Sequence, residues 1–227
     1  MRPMLHHPRR FAQSGFTLVE MAIVLVIVGL LLGGVLKGQE MIENARVKDA
    51  ANMINGITAA YNSYIDRYGR LPGDDGPTPQ ALQARGGRWA NASFGGNMNG
   101  VIDTPSLGEI FNGTWESVNF FLHLRSGGFL KGDETLYGVA GLPKHPWGGP
   151  VSVTSLPTHN RGGFILVMCM QNVPSKGAAA LDRLIDDGLP GSGTMRANAG
   201  LDVGPTDGFV NTGQYQVGWV YTICQEI

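Results

Sequence analysis

The chain has 227 residues, 34 of them glycine, with only 15% charged side chains and a formal net charge of −1. That length fits one domain plus an anchor, and the charge gives no overall basic footprint of the kind nucleic-acid binding requires, although local patches are compatible with it. The glycine content and low charge suggest a loop-rich head, and no internal repeat is evident.

The first predicted element is the apolar run Phe16–Leu36, 21 residues in which Glu20 is the only charge. About 20 apolar residues span a bilayer as a helix. A buried core helix is usually shorter and keeps a polar face, whereas this run is apolar all round. Arg2, Arg9 and Arg10 precede it, so the positive-inside bias places that end in the cytoplasm and everything after Lys37 on the exported side. A cleaved secretory signal is the competing reading. The run is long for a signal's apolar region, and Leu30–Lys37 offers glycines but no Ala-x-Ala site. A carboxylate at the membrane centre costs about 2.5–3.5 kcal/mol on insertion scales, and less for Glu20, one turn inside. Such a carboxylate either reaches the headgroups or needs a cation.

"SGFTLVE" (Ser14–Glu20), following a basic stretch and opening directly into the apolar helix, resembles the leader junction of type IV pilins and type II secretion pseudopilins. The resemblance implies a leader at 1–15, cut between Gly15 and Phe16 by a prepilin peptidase that then methylates the Phe16 amine. It implies a long helix at 16–69, membrane-embedded over 16–36, and an exported head at 70–227. The expected fold is α+β: a transmembrane and filament-core helix joined to a globular head with a small antiparallel sheet. The implied function is structural, a subunit of a pilus or secretion pseudopilus rather than an enzyme. Its implied partners are the peptidase/methylase, other copies or related pilins, and an inner-membrane assembly platform with its ATPase. The protein would start as a single-pass inner-membrane protein with its head in the periplasm, and then enter a filament. A minor tip subunit acting as an adhesin is a variant of this reading; a single-pass anchored enzyme or receptor is the rival from another class. Losing the leader removes three arginines and leaves −4, so no nucleic-acid partner is indicated.

Glu20 matches the family's fifth mature residue. Cleavage would create a positive amine at Phe16, four residues away on the same helix face. In a filament the carboxylate would instead meet a neighbour's terminus, where low dielectric strengthens the pair and sets the stagger between helices.

Helical spacing continues past the membrane. Ile42, Ala45, Asp49, Met53, Gly56 and Ala60 mark one face, and Val47, Ala51, Ile54, Ile57, Tyr61, Tyr64 and Ile65 lie on or near another. Gly69 is the predicted C-cap, and Pro72 blocks continuation. Phe16–Tyr68 would be about 80 Å long. Gly29 and Gly33, and again Gly34 and Gly38, have the spacing that lets helices approach closely; tolerance of small residues is the bland alternative. Many pilins carry a proline near mature position 22, where this chain has Lys37.

"RLPGDDGPTP" (Arg70–Pro79) is a turn-rich exit, and "YNSYIDRYGRLPGDD" resembles prepilin-like proteins. Tyr61, Tyr64 and Tyr68 form a stripe read as packing under the head. "GGNMNGVID" (Gly95–Asp103) partly resembles half an EF-hand loop. Asn97, Asn99 and Asp103 are candidate calcium ligands there, set against a plain Asn-Gly turn, with Asp74 or Asp75 joining only if folding brings them near. Gly113–Leu130 is predicted as an amphipathic helix capped by Thr114, ended by Gly127 or Gly128, with Trp115, Val118, Phe121, Leu122 and Leu124 in the core. "HPWGGPVSV" (His145–Val153) reads as a turn into a strand and loosely resembles the pseudopilin Asp-Pro-Trp-Gly turn, with His145 in place of aspartate. Ser175–Gly188 is a second short helix with Ser175 as cap and Gly188 as stop. Gly163–Met170 and Tyr215–Cys224 read as strands carrying Cys169 and Cys224. Two cysteines on the exported side either pair or remain buried thiols. A bridge would close a loop of about 55 residues, worth about 4 kcal/mol in the chain-entropy model, and would resemble the C-terminal disulfide loop of many pilins. Asp186 and Asp187 read as loop carboxylates that are either solvated or bonded to turn amides, set against paired-carboxylate acid/base work. His6, His7, His123, His145 and His159 show no metal-ligand spacing, and no nucleophile elbow, P-loop or His-Glu-x-x-His occurs.

Overall fold

The computed structural model describes residues 17–104, 109–112, 115–155, 165–199 and 213–227. The chain divides into two compact units, Met1–Ile42 and Glu43–Ile227. One helix, α1 (Leu18–Tyr68), supplies residues to both.

Within the first unit, over 18–36, α1 is apolar on every face apart from Glu20. Leu18, Leu25, Leu30 and Leu36 are 91%, 69%, 73% and 67% exposed, so this surface has no protein cover of its own. Among the described helices, α1 is long and apolar enough to cross a membrane.

In the second unit the same helix becomes one-sided. Val47, Ala50, Ile54, Ile57, Ala60 and Tyr64 are buried at steps of three and four residues, which places them on one stripe. Val47, Ile54, Ile57 and Tyr64 come from the second of the two predicted faces, but Ala60 was placed on the first and Ala50 on neither. Of the first face, Ile42, Ala45, Asp49 and Gly56 are exposed and Met53 is half-buried. Tyr64 is the centre of an aromatic cluster with Tyr68, Trp89, His123 and Phe129. The tyrosine stripe therefore packs against the head. Gly69 ends the helix with φ +65 and donates to the Ile65 carbonyl.

The chain then turns back across α3 (Glu116–Ser126). Gly73, at φ +93, lies so close that a Cβ would stand 2.5 Å from the Glu116 carbonyl oxygen. A short helix α2 (Pro79–Gln83) follows, capped by the Thr78 hydroxyl, and then a 3₁₀ turn at Gly87–Asn91. Neither element was predicted from sequence.

The head sheet is antiparallel, in the order β1 (Val151–Thr154), β2 (Val167–Pro174), β4 (Val220–Glu226), β3 (Met195–Ala199). Cys169 and Cys224 face each other in the β2–β4 register and form a disulfide. A bulge interrupts β2 between Met170 and Val173, with Asn172 at φ +64. The fold is the α+β arrangement of a long apolar helix and a small antiparallel sheet.

Several expectations need correction. The helix expected over 113–130 is α3, and it is buried on every side rather than amphipathic. It lies between α1, through the Tyr61–Phe120 ring stack, and β1 with its flanking turns. Val118, Phe121, Leu122 and Leu124 are core, but Trp115 precedes the helix and is 44% exposed. Thr114, the expected cap, lies outside the described residues. The second short helix is α4 (Ser175–Ile185), shorter than 175–188. Pro174 occupies its N-cap position and makes no side-chain cap, so Ser175 is a helical residue and not the cap. The strand expected over Gly163–Met170 is β2, Val167–Pro174, the one expected over Tyr215–Cys224 is β4, Val220–Glu226, and β3 was not predicted.

Candidate functional site

The N-terminal candidate is built on Glu20. Thr17 sits immediately before α1, and its backbone N–H and its hydroxyl both donate to Glu20 Oε2 at 2.8 Å. The Glu20 N–H returns a bond to Thr17 Oγ1 at 3.3 Å. Ser/Thr-x-x-Glu at a helix start is a capping box, in which two side chains satisfy otherwise orphaned backbone donors. Thr17-Leu18-Val19-Glu20 spells it in the sequence, so Glu20 is a helix cap as well as a membrane charge. Glu20 thus has two donors from its own chain before any amine is considered. Gly15 and Phe16, the expected cleavage and methylation residues, lie outside the described residues.

The loop expected to hold a cation is drawn together by the fold. Asn97 Nδ2 and Asn99 Nδ2 both donate to Asp103 Oδ2 at 2.7 Å. Folding also brings Asp74, 25 residues earlier, to accept the Asn99 and Gly100 N–H groups. Glu116 of α3 accepts the Asn97 and Asp103 N–H groups at 2.9 and 2.8 Å. Burial pushes the Glu116 carboxyl above its ordinary range, against the bonds it accepts from Asp103 and Asn97. Asn97 Oδ1 and Asn99 Oδ1 accept the Asn99 and Val101 N–H groups. For both asparagines to offer oxygen to a calcium ion beside Asp103, both amides would have to turn over, leaving the Val101 N–H without its acceptor and the Asn99 N–H with Asp74 alone. Asp75 turns the other way and forms a fork-to-fork pair with Arg85, at 2.8 and 3.0 Å.

The acidic pair after α4 binds turn amides. Asp186 accepts the Thr194 and Met195 N–H groups, and Asp187 accepts the Leu189 N–H and the Ser192 hydroxyl. Asp182, not singled out in the sequence, joins them, with one oxygen of each carboxylate within 4.8 Å of the others. It accepts the Tyr215 hydroxyl at 2.6 Å and the Gly188 N–H at 3.0 Å. Burial pushes its carboxyl up to about 6, opposed by those two bonds and aided by the nearby charges of Asp187 and Asp186. The cluster anchors the turn that leads into β3.

His145 takes the aspartate's place in the 145–148 turn by offering Nδ1 to the Trp147 N–H at 3.2 Å. Its Nε2 therefore carries the hydrogen and donates to the Gln171 carbonyl at 2.6 Å. His6, His7 and His159 lie outside the described residues.

A family model described as the prokaryotic N-terminal methylation motif matches residues 10–36, the signature of type IV pilins and pseudopilins. The match takes in the Gly15–Phe16 bond, Thr17, Glu20 and the apolar stretch, and leaves the whole head outside it. No curated protein and no solved structure matches the chain.

Proposed function

We propose that this pilin-like protein is a structural subunit of a type IV pilus or type II secretion pseudopilus. The observation that carries the reading is the methylation motif at 10–36 together with a helix that has no protein cover from Leu18 to Leu36. Such a surface needs lipid or other helices around it. In this reading a prepilin peptidase cuts between Gly15 and Phe16 and methylates the new Phe16 amine. Before assembly, residues 16–36 lie in the inner membrane, with the arginine-bearing end in the cytoplasm and the head in the periplasm. In the filament, neighbouring helices replace lipid around the same apolar surface. Little hydrophobic free energy separates those two states, so extraction is driven by an ATPase-powered platform.

Glu20 links the two states. Its capping box with Thr17 lowers the cost of holding a carboxylate near the top of the membrane helix. After cleavage, an amine one residue before Thr17 comes within reach, and in the filament the amine of a neighbouring copy takes that place.

The test is N-terminal peptide mass spectrometry of the membrane-purified protein from cells with an active prepilin peptidase. A mature chain beginning at N-methylated Phe16 is expected. An uncut chain would overturn the reading in favour of a plain membrane anchor. A Glu20→Ala variant is expected to be cut normally yet fail to enter filaments, as scored by sheared-fibre yield.

A further inference from the structure

The second unit carries two uncovered apolar features, one convex and one concave. The convex one is the turn at 216–219, closed by the Trp219 N–H on the Gln216 carbonyl at 3.3 Å, with Gly218 at φ +83. Turn tips are ordinarily polar. Here Val217 at the tip is 96% exposed, and Trp219 behind it is 50% exposed. The turn is braced on both sides. The Gln216 N–H donates to the Tyr221 hydroxyl at 2.7 Å, the Trp219 carbonyl accepts the Ser175 N–H at 2.9 Å, and the Trp219 and Tyr221 rings stack. An apolar projection held this rigidly costs little conformational entropy to bury.

The concave feature is a groove of about 760 Å³ between α1 and the segment 129–143. Met53, Gly56 and Ile57 come from α1, and Phe129, Leu130 and Leu136 from the segment. Buried Arg125 fixes that outer wall by donating to the Leu136 and Gly141 carbonyls, both at 2.8 Å. Cavities of about 300–1,000 Å³ enclose drug-sized ligands, and Val217-Gly218-Trp219 is of that size. The ionisable side chains at the groove balance, Asp49 and Asp133 against Arg125 and Lys131. Residues 213–220 carry no acid or base apart from the Tyr215 phenol. Seating the turn in the groove therefore strands no charge, which a charged occupant would do.

We propose that the Val217–Trp219 turn of one copy seats in the α1 groove of the next. The contact presupposes the filament-subunit reading and supplies the joint between heads that it leaves open. Turn and groove share no residue, and the exposure of Val217 shows that the turn does not fill its own chain's groove. The contact is thus heterologous. Each copy offers one turn and one groove, and a series of such contacts that does not close into a ring continues as a helical filament.

The test is oxidative cross-linking of sheared fibres built from a Gly56→Cys, Val217→Cys double variant of the full chain. A Cβ at Gly56 meets nothing within 4 Å and Val217 is exposed, so both changes leave the fold intact. A reducible ladder of dimers, trimers and longer species is expected, with peptide mass spectrometry showing residue 56 joined to residue 217. Bands that stop at the dimer, or fibres without the 56–217 link, would overturn the proposal. Val217→Asp should lower sheared-fibre yield by about tenfold or more, because it buries an unpaired carboxylate in the joint. Its thermal midpoint and its cleavage at Gly15 should stay at the wild-type values. Wild-type fibre yield from Val217→Asp would overturn the contact and leave the filament reading standing. A wild-type chain that is uncut or forms no fibres would overturn both.

Discussion

His123 shows how much one side chain can carry. It is fully buried on α3, its Nδ1 accepts the Gly73 N–H at 2.8 Å, and its Nε2–H donates to the Phe94 carbonyl at 3.1 Å. Only the neutral ring can do both, and burial pushes its pKa down to about 4 from the ordinary 6.5. The sign follows from that depression. Below 6.5 the unfolded chain takes up a proton that the folded chain refuses, so stability present above 6.5 is lost as pH falls toward 4, about 3 kcal/mol in all. His145, also depressed by burial, acts in the same sense. Asp182 and Glu116 act oppositely: their raised carboxyls contribute stability at low pH that is lost as pH rises through the folded value, about 6 for Asp182. The His123 share is therefore read as a difference. Urea unfolding at pH 7.5 and pH 4 should show His123→Gln less stable than wild type at pH 7.5, with a fall across the window smaller by about 3 kcal/mol; equal falls would refute the assignment. The buried Asp75 gives a second residue-level test. Tyr64→Phe removes a 2.6 Å hydroxyl-to-carboxylate bond and should cost about 2 kcal/mol. Asp75→Ala should cost more than that, about 2–3 kcal/mol, because it removes the acceptor of both the Tyr64 hydroxyl and the Arg85 fork, while the exposed Arg85 charge turns to water.

At the scale of elements, one ring lies between α1 and α4 within the second unit. Trp147 donates Nε1–H to Glu43 of α1 at 2.8 Å, and the same edge of its ring lies against Gly177 of α4. A Cβ on Gly177 would stand 2.6 Å from that ring, so the glycine is there for space and not for backbone freedom. Gly56, inside α1, is the opposite case: a Cβ there meets nothing within 4 Å. The same substitution should therefore change sign between the two helices. Gly177→Ala should destabilise by about 1–3 kcal/mol through overpacking and red-shift tryptophan emission as Trp147 is displaced. Gly56→Ala should stabilise the monomer by about 0.5–1 kcal/mol, since alanine loses less backbone entropy in a helix interior. Matched chemical denaturation curves decide it, and two shifts of the same sign would contradict the packing described.

Over the whole molecule, what was legible in the sequence was whatever depends on local order along the chain. The apolar run and the Gly-Phe-Thr-Leu-Val-Glu junction depend on contiguous residues, and the 47–64 stripe depends on a period of 3.6 residues, so all three could be read directly. The β3 strand could not, because "MRANA" alternates over only five residues and is built on alanine and asparagine, which are poor strand formers, so its pairing with β4 is what holds it. Trp115 was misplaced because α3 is enclosed on all sides, so side-chain size does not tell which flanking residue turns outward. The clusters around Asp74 and Asp182 join residues from distant segments, and no spacing rule connects Asp74 to Asn99 or Asp182 to Tyr215. The disulfide belongs to this scale because it ties the two central strands of the sheet across a sequence separation of 55 residues. A loop of that size is worth about 4 kcal/mol in the chain-entropy model, a large part of the 5–15 kcal/mol typical of a folded domain. Both cysteines are no more than 1% exposed, so reductant should reach the bond only through an opened molecule. Two results are expected. The Cys169→Ala, Cys224→Ala double variant should unfold with about 2–4 kcal/mol less stability than the oxidised protein. Wild type should resist dithiothreitol in native buffer yet be reduced rapidly in urea near its midpoint, as followed by thiol alkylation and mass. Rapid reduction in native buffer would mean that β2 and β4 separate locally without global unfolding, and the sheet centre would then be the least rather than the most stable part of the head.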